Sequence, residues 1–191
     1  MENAKYLMDT SVFNRRKSKD IYDEEAFPIH WRNFDYLVEQ GLVISILEVK
    51  EELERKVEIF KFWVKDHEDI FKPLDNNSVV LMNKINSDYP KLYEANNKKK
   101  SIADIPLVAF AKTHNLVLVT QESYNYNPDT NEKKYTIPTL CELEGAKCTV
   151  DNCQTDYSDE NYDFECIDFV ELVKRERLFD PDLFEDTMND V

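Results

Sequence analysis

Three short apolar runs, at residues 5–8, 42–45 and 116–120, constrain the fold more than any other feature of the sequence. Each run is apolar on both faces, which is typical of strands in a parallel sheet covered by helices on both sides. Helical patterns separate the runs, at 31–40, 48–66, 77–88 and 102–114. Asn115 follows the last of these and tolerates the left-handed conformation that often ends a helix. We therefore predict an α/β fold, a three-layer α/β/α domain around a central, mostly parallel sheet.

The chain has 191 residues, a length that fits one domain. We predict a single domain over 1–179 and an acidic C-terminal tail over 180–191. Residues 1–150 hold 25 acidic and 21 basic side chains, net −4, whereas 151–191 hold 14 and 3, net −11. The stretch 151–165 is polar without any period, which predicts an exposed acidic insertion, about 149–166. A helix should follow, with its apolar face formed by Ile167, Phe169, Val170, Leu172 and Val173, and Pro181 should limit it.

Composition excludes several classes of enzyme. With only two glycines the chain has no glycine-rich phosphate loop, dinucleotide fingerprint or nucleophile elbow, so kinases, P-loop NTPases, dehydrogenases and α/β-hydrolases are excluded. The three histidines form no HExxH motif. No apolar run is long enough to span a bilayer and no signal peptide is visible, so we expect a cytoplasmic protein. Four cysteines lie in the last third at spacings that match no paired zinc motif, and reduced thiols are expected over a metal site.

Acidic residues stand near the ends of the predicted strands. Asp9 closes the first run, Glu52 lies on the helix after the second with Glu48 one turn earlier, and Asp104 opens the helix before the third run. Glu122 follows the third run by two residues. In open α/β sheets the functional crevice lies at the carboxyl ends of the strands, so one crevice could collect these acids. Helix-start and helix-face acids are usually structural or solvated, whereas an uncompensated Asp9 after a buried strand is costly. Converging carboxylates would need a divalent cation to remain ionised.

These residues resemble the PIN-domain nucleases. The run Tyr6-Leu7-Met8-Asp9-Thr10-Ser11 is similar to the opening strand of that family, and Glu52-Leu53 is similar to its Glu-Leu pair. The block from Ala103-Asp104 to Thr120-Gln121-Glu122 resembles the rest of the motif set. The resemblance spans roughly residues 4–148 and is nearest to a bacterial subgroup of uncharacterised function, similar to the toxin ribonucleases of toxin–antitoxin pairs. Glu122 stands where the family usually has Asp, which lengthens that arm.

The resemblance implies a divalent-metal-dependent endoribonuclease that uses Mg²⁺ or Mn²⁺, ions that prefer carboxylate oxygens. It implies Asp9 and Asp104 as principal ligands, and Glu52 as a ligand or water-bridged acid, with Glu48 as the other helix candidate. Glu122 is implied as an outer or second-site acid. Ser11 and Thr120 are implied to orient Asp9 or to contact a phosphate. RNA is the expected substrate, with DNA as the alternative, and the partners considered are an antitoxin protein and a second copy of the chain.

A net charge of −15 disfavours nucleic-acid binding in bulk, because phosphate contacts dominate affinity. Basic clusters next to the acids answer part of that objection. One cluster is Arg15, Arg16, Lys17 and Lys19; the other is Lys98, Lys99 and Lys100. Phosphate binding by Arg15, Arg16, Lys17 and Lys100 is one hypothesis, and ordinary solvated loop charges are the other. Two other functions stay open: a catalytically weak PIN-like module that binds RNA or protein, and an acidic interaction protein whose tail imitates nucleic acid.

Overall fold

The structure is a computed structural model that describes residues 3–16, 20, 22–56, 58–90, 102–125, 136–151, 153 and 162–183, without the side chains of 56, 58 and 59. Its strands are β1 Tyr6–Met8, β2 Val43–Ile46, β3 Phe71–Lys72, β4 Val117–Val119, β5 Ala146–Cys148 and β6 Phe164–Ile167. Its helices are α1 Thr10–Asn14, α2 Pro28–Glu39, α3 Leu47–Lys56, α4 Glu58–Asp66, α5 Asn76–Asp88, α6 Asp104–His114, α7 Ile137–Leu143 and α8 Phe169–Arg175, with a 3₁₀ turn at Glu68–Ile70.

The six strands form one sheet in the order β3-β2-β1-β4-β6-β5, and every pair is parallel. Helices connect and flank the strands, so the predicted three-layer α/β/α architecture is confirmed. The strand order reverses beside β1, because β2 and β3 extend the sheet on one side of β1 and β4 begins the other side. Ligands of open α/β sheets bind at such a reversal, at the carboxyl ends of the strands. The carboxyl ends of β1 and β4 are therefore the place to look for a site.

The sheet is buried as its apolar strands require. All residues of β1 and β2 are buried, and α6 is buried along Ile105–Ala111 because helices and sheet cover it from several sides. Aromatic rings fill the space under α2, where Trp31 stacks on Phe169 with ring centroids 5.0 Å apart. None of the helices in these described segments is long and apolar enough to cross a membrane.

Polar residues stand at the ends of α5 and α6, and the one at Asn115 was predicted. Asn115 adopts the left-handed conformation with φ 51° and ends α6. Asp75 caps α5 by accepting a hydrogen bond from the Ser78 N–H at 2.8 Å. The single helix predicted at 48–66 consists of α3 and α4.

The boundaries around the acidic insertion were wrong. Phe164 and Glu165 were expected in an exposed loop and Ile167 on a helix face, but all three belong to β6, which pairs with β4 and β5 inside the sheet. Phe164 and Cys166 face the core, whereas Glu165 reaches the surface and pairs with Arg175 at 2.6 Å. This two-residue alternation was too short to stand out in an acidic stretch. Helix α8 begins after Asp168 and ends well before Pro181. Residues 154–161 and the tail from 184 lie outside the described residues.

Candidate active site at the carboxyl ends of β1 and β4

Asp9 follows β1 directly and is 4% exposed. Its backbone N–H donates to the Val119 carbonyl at 3.0 Å, which holds the residue between the ends of β1 and β4. Its carboxylate accepts hydrogen bonds from the Ser11 hydroxyl and from Thr120 Oγ1, the latter at 3.0 Å. In the described part of the chain no Lys or Arg pairs with Asp9. The carboxylate is therefore buried among neutral hydroxyl donors.

The electrostatics of Asp9 follow from this environment. Burial raises the pKa of Asp9, and the hydrogen bonds from Ser11 and Thr120 lower it in part. The negative charge of Glu52 raises the pKa further, which shows that the two carboxylates lie within electrostatic reach of each other. The net pKa of Asp9 is above its ordinary value of 3.8. A positive charge at this point would favour the ionised form.

Glu52 is held beside Asp9 by a residue that sequence analysis did not select. Glu52 is 5% exposed, and its Oε2 accepts from the Thr10 hydroxyl at 2.8 Å, while its Oε1 accepts from the Ile102 N–H at 3.0 Å. Thr10 is the residue after Asp9, so the signal that could have revealed it is its place in the Asp-Thr-Ser run. Glu48, the other helix candidate, is half-buried and its Oε2 has no hydrogen-bond partner. Burial raises the pKa of Glu48, but only Glu52 hydrogen-bonds to the Asp9 segment.

Asp104 and Glu122 occupy the rim of this site. Asp104 is half-buried in the first turn of α6, two residues after the Ile102 N–H that binds Glu52. The Glu122 N–H donates to Thr120 Oγ1 at 3.1 Å, and Glu122 Oε2 accepts from the Ile137 N–H at 2.8 Å. Glu122 thereby holds the start of α7 with one carboxylate oxygen. All four predicted acids thus lie on segments joined by hydrogen bonds.

The hydroxyls of Ser11 and Thr120 join the ends of β1 and β4. Ser11 Oγ and Thr120 Oγ1 are 3.3 Å apart, and both serve the same oxygen of Asp9. The Gln121 N–H donates to Ser11 Oγ at 2.8 Å and fixes that hydroxyl from the other side. The orienting role predicted for Ser11 and Thr120 therefore has a geometric basis, because their hydrogen bonds restrict how the Asp9 carboxylate can turn.

The basic residues predicted to bind phosphate differ in their exposure and in their ion pairs. Arg16 is 15% exposed and makes paired hydrogen bonds to Asp35 at 2.7 and 2.8 Å, with a further ion pair to Glu24. This arrangement is typical of a structural arginine that fastens α1 to α2. Arg15 is more exposed, and within the described segments its ion-pair partner is Asp20, at 3.3 Å. Lys17 and Lys100, with Lys19, Lys98 and Lys99, lie outside the described residues.

Asp9 and Glu52 are the side chains that could hold a metal ion here. Carboxylate oxygens suit Mg²⁺ and Mn²⁺, and Mg²⁺ is commonly held by one or two carboxylates with water completing its shell. The pair fits that requirement, since both acids are buried and repel one another. Within the residues that the structure describes, no three His, Cys, Asp or Glu side chains form a ready metal cluster. Asp104 and Glu122 lie on segments that hydrogen-bond to Glu52 and to Thr120, respectively.

A protein-family model described as "Domain of unknown function (DUF4411)" matches residues 6–154. The matched region contains β1 to β5 and all four acids. No curated protein and no solved structure matches the chain.

Proposed function

The chain belongs to the DUF4411 family, and we propose that it is a nuclease that hydrolyses RNA phosphodiester bonds with Mg²⁺ or Mn²⁺ held by Asp9 and Glu52. The observation that carries the proposal is the buried carboxylate pair where the strand order reverses. A protein gains no stability from burying two like charges side by side without a cation. Such an arrangement is typical of a site that is completed by a ligand.

The residues of the chain have distinct roles in this proposal. Asp9 and Glu52 supply oxygen ligands, Ser11 and Thr120 orient Asp9, and Thr10 orients Glu52. When bound, a divalent ion supplies positive charge that acidifies a water molecule and stabilises charge on the phosphate and leaving oxygen. The hydroxyl network acts before the reaction, because it fixes both carboxylates in one orientation and so reduces the reorganisation that substrate binding would require.

Asp104 and Glu122 take outer roles. Asp104 sits where it can bind water molecules around the pair, since its helix begins beside the backbone N–H that contacts Glu52. Glu122 positions the start of α7 through Ile137 and is proposed as an outer or second-site acid. Arg15 stands on the segment that follows Asp9 and is better placed than Arg16 to contact a phosphate.

The test is cleavage of a mixed-sequence single-stranded RNA by the full-length protein, with matched DNA as the alternative substrate. We expect cleavage with Mg²⁺ or Mn²⁺ and none in EDTA. Asp9→Asn and Glu52→Gln should each lower the rate by about 100-fold or more, because each removes a charged ligand. The matched control is Glu51→Gln, which changes the neighbouring exposed acid that pairs only with Arg55. Cleavage that survives both EDTA and Asp9→Asn would refute the proposal.

The alternative function is a catalytically weak module that binds RNA without cutting it. Fluorescence anisotropy with labelled RNA, run beside the cleavage assay, separates the two functions. Binding without cleavage in either metal would identify the binding module.

The resemblance to toxin ribonucleases supports one further part of the proposal, that the chain is the toxin of a toxin–antitoxin pair. Induced expression of the wild-type chain should then arrest bacterial growth, and expression of Asp9→Asn should not. Equal growth with both chains would argue against a toxin.

A further inference from the structure

All four cysteines of the chain meet at one place in the fold, although their spacing in the sequence shows no motif. Cys141 lies on α7, Cys148 ends β5 and Cys166 lies on β6. Cys153 follows β5 by five residues. All four are free thiols. None of the four cysteines has a role in the proposed nuclease activity.

The contacts within this cysteine cluster are pairwise. Cys148 and Cys166 are directly paired residues on the parallel strands β5 and β6. The Cys166 thiol contacts both Cys141 and Cys148, and the Cys148 thiol contacts Cys153. A turn closed by the Cys153 N–H and the Val150 carbonyl, at 3.0 Å, returns Cys153 to the end of β5. No three of these described side chains surround a common point that could hold a metal ion, so the geometry suits bonds between two sulfurs.

The four thiols differ in access to solvent. Cys141, Cys148 and Cys166 are all 0% exposed and belong to the hydrophobic core. Cys153 is half-buried and packs against the edge of that core. A reagent dissolved in water therefore meets Cys153 first, and Cys153 in turn touches Cys148.

We propose that Cys153 and Cys148 are a redox-modification site, in which a low-molecular-weight disulfide such as oxidised glutathione converts the two thiols into an intramolecular disulfide. Cys153 is the entry thiol and Cys148 is the resolving thiol. The disulfide would join Cys153 covalently to the end of β5.

The disulfide forms by two successive thiol–disulfide exchanges. The Cys153 sulfur, after losing its proton, attacks one sulfur of the small disulfide, so its S–S bond breaks and one small thiolate leaves and takes up that proton. The Cys148 sulfur then attacks Cys153 Sγ, the bond to the small thiol breaks, and the second small thiol leaves with the Cys148 proton. The two protein thiols are oxidised by two electrons, and the small disulfide is reduced to two thiols.

The surroundings of Cys148 set the rate of the second exchange, in which its sulfur attacks Cys153. Contact with Cys153 lowers the pKa of Cys148, but contact with Cys166 and burial outweigh it and leave that pKa above its ordinary value of 9.0. The second exchange is therefore slow at neutral pH, because only the thiolate attacks. It proceeds because the two sulfurs are held together in one molecule. Cys153 also donates to Glu142 Oε1 at 3.9 Å, and that contact is lost when the disulfide forms.

The experiment incubates the reduced full-length protein with oxidised glutathione and follows its intact mass. We expect a product lighter by about 2 Da, from loss of two hydrogen atoms, and peptide mapping should join Cys148 to Cys153. Excess dithiothreitol should restore the original mass. Cys153→Ser should slow all modification at least about 10-fold, since the remaining thiols are buried. Cys141→Ser is the matched control and should still form the same disulfide.

Three outcomes would overturn the proposal: no change in mass, a stable glutathione adduct on Cys153 that Cys148 does not resolve, or a disulfide that maps to another pair. Cys153→Ser changes a half-buried side chain outside the strands, so we expect it to fold. A circular dichroism melt confirms folding before the variant is used.

Discussion

The two ends of β1 hold carboxylates in opposite electrostatic environments. At the amino end, Lys5 Nζ lies 2.6 Å from Glu176 Oε1, and the Tyr6 hydroxyl donates to the same oxygen. At the carboxyl end, the donors to Asp9 among the described residues are hydroxyl and backbone groups, and the negative charge of Glu52 raises its pKa. Burial raises the pKa of Glu176, but its two partners outweigh burial and lower it, whereas the pKa of Asp9 is raised.

This difference distinguishes Glu176, a structural acid, from Asp9, the acid that we propose to be functional. Glu176 fastens α8 to the sheet with its charge neutralised inside the protein. Burial of Asp9 without a cationic partner among the described residues costs free energy, and we propose that a bound cation offsets this cost. Proteins retain such costs where a ligand removes them, so an acid's partners indicate its role better than its burial does.

Among changes that leave both carboxylates in place, the largest loss of cleavage should come from removing the hydroxyls that orient Asp9. Ser11→Ala combined with Thr120→Val should lower metal-dependent cleavage by about 10–100-fold, as is usual when partners of a metal ligand are removed. The loss should appear as weaker Mn²⁺ activation, measured as rate against Mn²⁺ concentration. Thr149→Val is the matched control, since Thr149 lies after β5 and its Oγ1 has no hydrogen-bond partner. If the double variant showed the same dependence of cleavage rate on Mn²⁺ concentration as the wild type, the role that we assign to the hydroxyls at the carboxyl end of β1 would be wrong.

Removing the charge of Asp9 should stabilise the protein. In EDTA at neutral pH, Asp9→Asn should raise the free energy of unfolding by roughly 1–2 kcal/mol, because it removes a buried charge next to Glu52. Each kcal/mol should raise the Tm by about 2–4 °C. The folded-state pKa of Asp9 is raised, so the penalty is absent at low pH and grows as pH rises from 3.8 through the raised value. The gain should therefore shrink on acidification. A loss of stability at pH 7 would contradict the unfavourable environment that we assign to Asp9.

Removing the charge of Glu176, at the amino end of β1, should change the free energy of unfolding in the opposite direction. Glu176→Gln should destabilise the protein by about 1 kcal/mol, a modest value because Lys5 is half exposed, and should leave cleavage unchanged. The folded-state pKa of Glu176 is lowered, so its stabilisation is present above 4.5 and is lost as pH falls through the lowered value. Thermal melts from pH 3 to 7 should thus show the wild-type and Glu176→Gln curves converging in acid. Impaired cleavage at full stability would place Glu176 in the active site instead.

The smallest expected effect is on RNA affinity, when Arg15 on the segment after Asp9 is replaced. Arg15→Ala should weaken RNA binding modestly and lower the slope of log affinity against log salt by up to about 1, with stability changed by less than about 1 kcal/mol. Lys84→Ala removes an exposed lysine on α5 and should leave the slope unchanged. Binding titrations at several salt concentrations measure both. Identical slopes for Arg15→Ala and wild type would show that this arginine is only solvated.

Much of the fold could be read from local patterns. The strands that carry Asp9 and Thr120 are apolar throughout, and the left-handed Asn115 marks the end of α6. Strands β3 and β5 were not predicted, and β6 was hidden in acidic sequence, because strands of two to four residues acquire their conformation from the neighbours they pair with. The choice between Glu48 and Glu52 also needed the fold, since both lie on one face of α3.

The sequence by itself determined strands β1, β2 and β4 and helices α2 to α6, and that acids follow several of these strands, because hydrophobic periodicity and chain order are local properties. Only the tertiary structure decided the strand order that puts Asp9 beside Thr120, the Thr10 contact that selects Glu52, and the ion pairs that make Arg16 structural. It also brought four scattered cysteines together. The physical reason is that a side chain's charge state and reactivity depend on its partners in space, and those partners come from segments far apart in the chain.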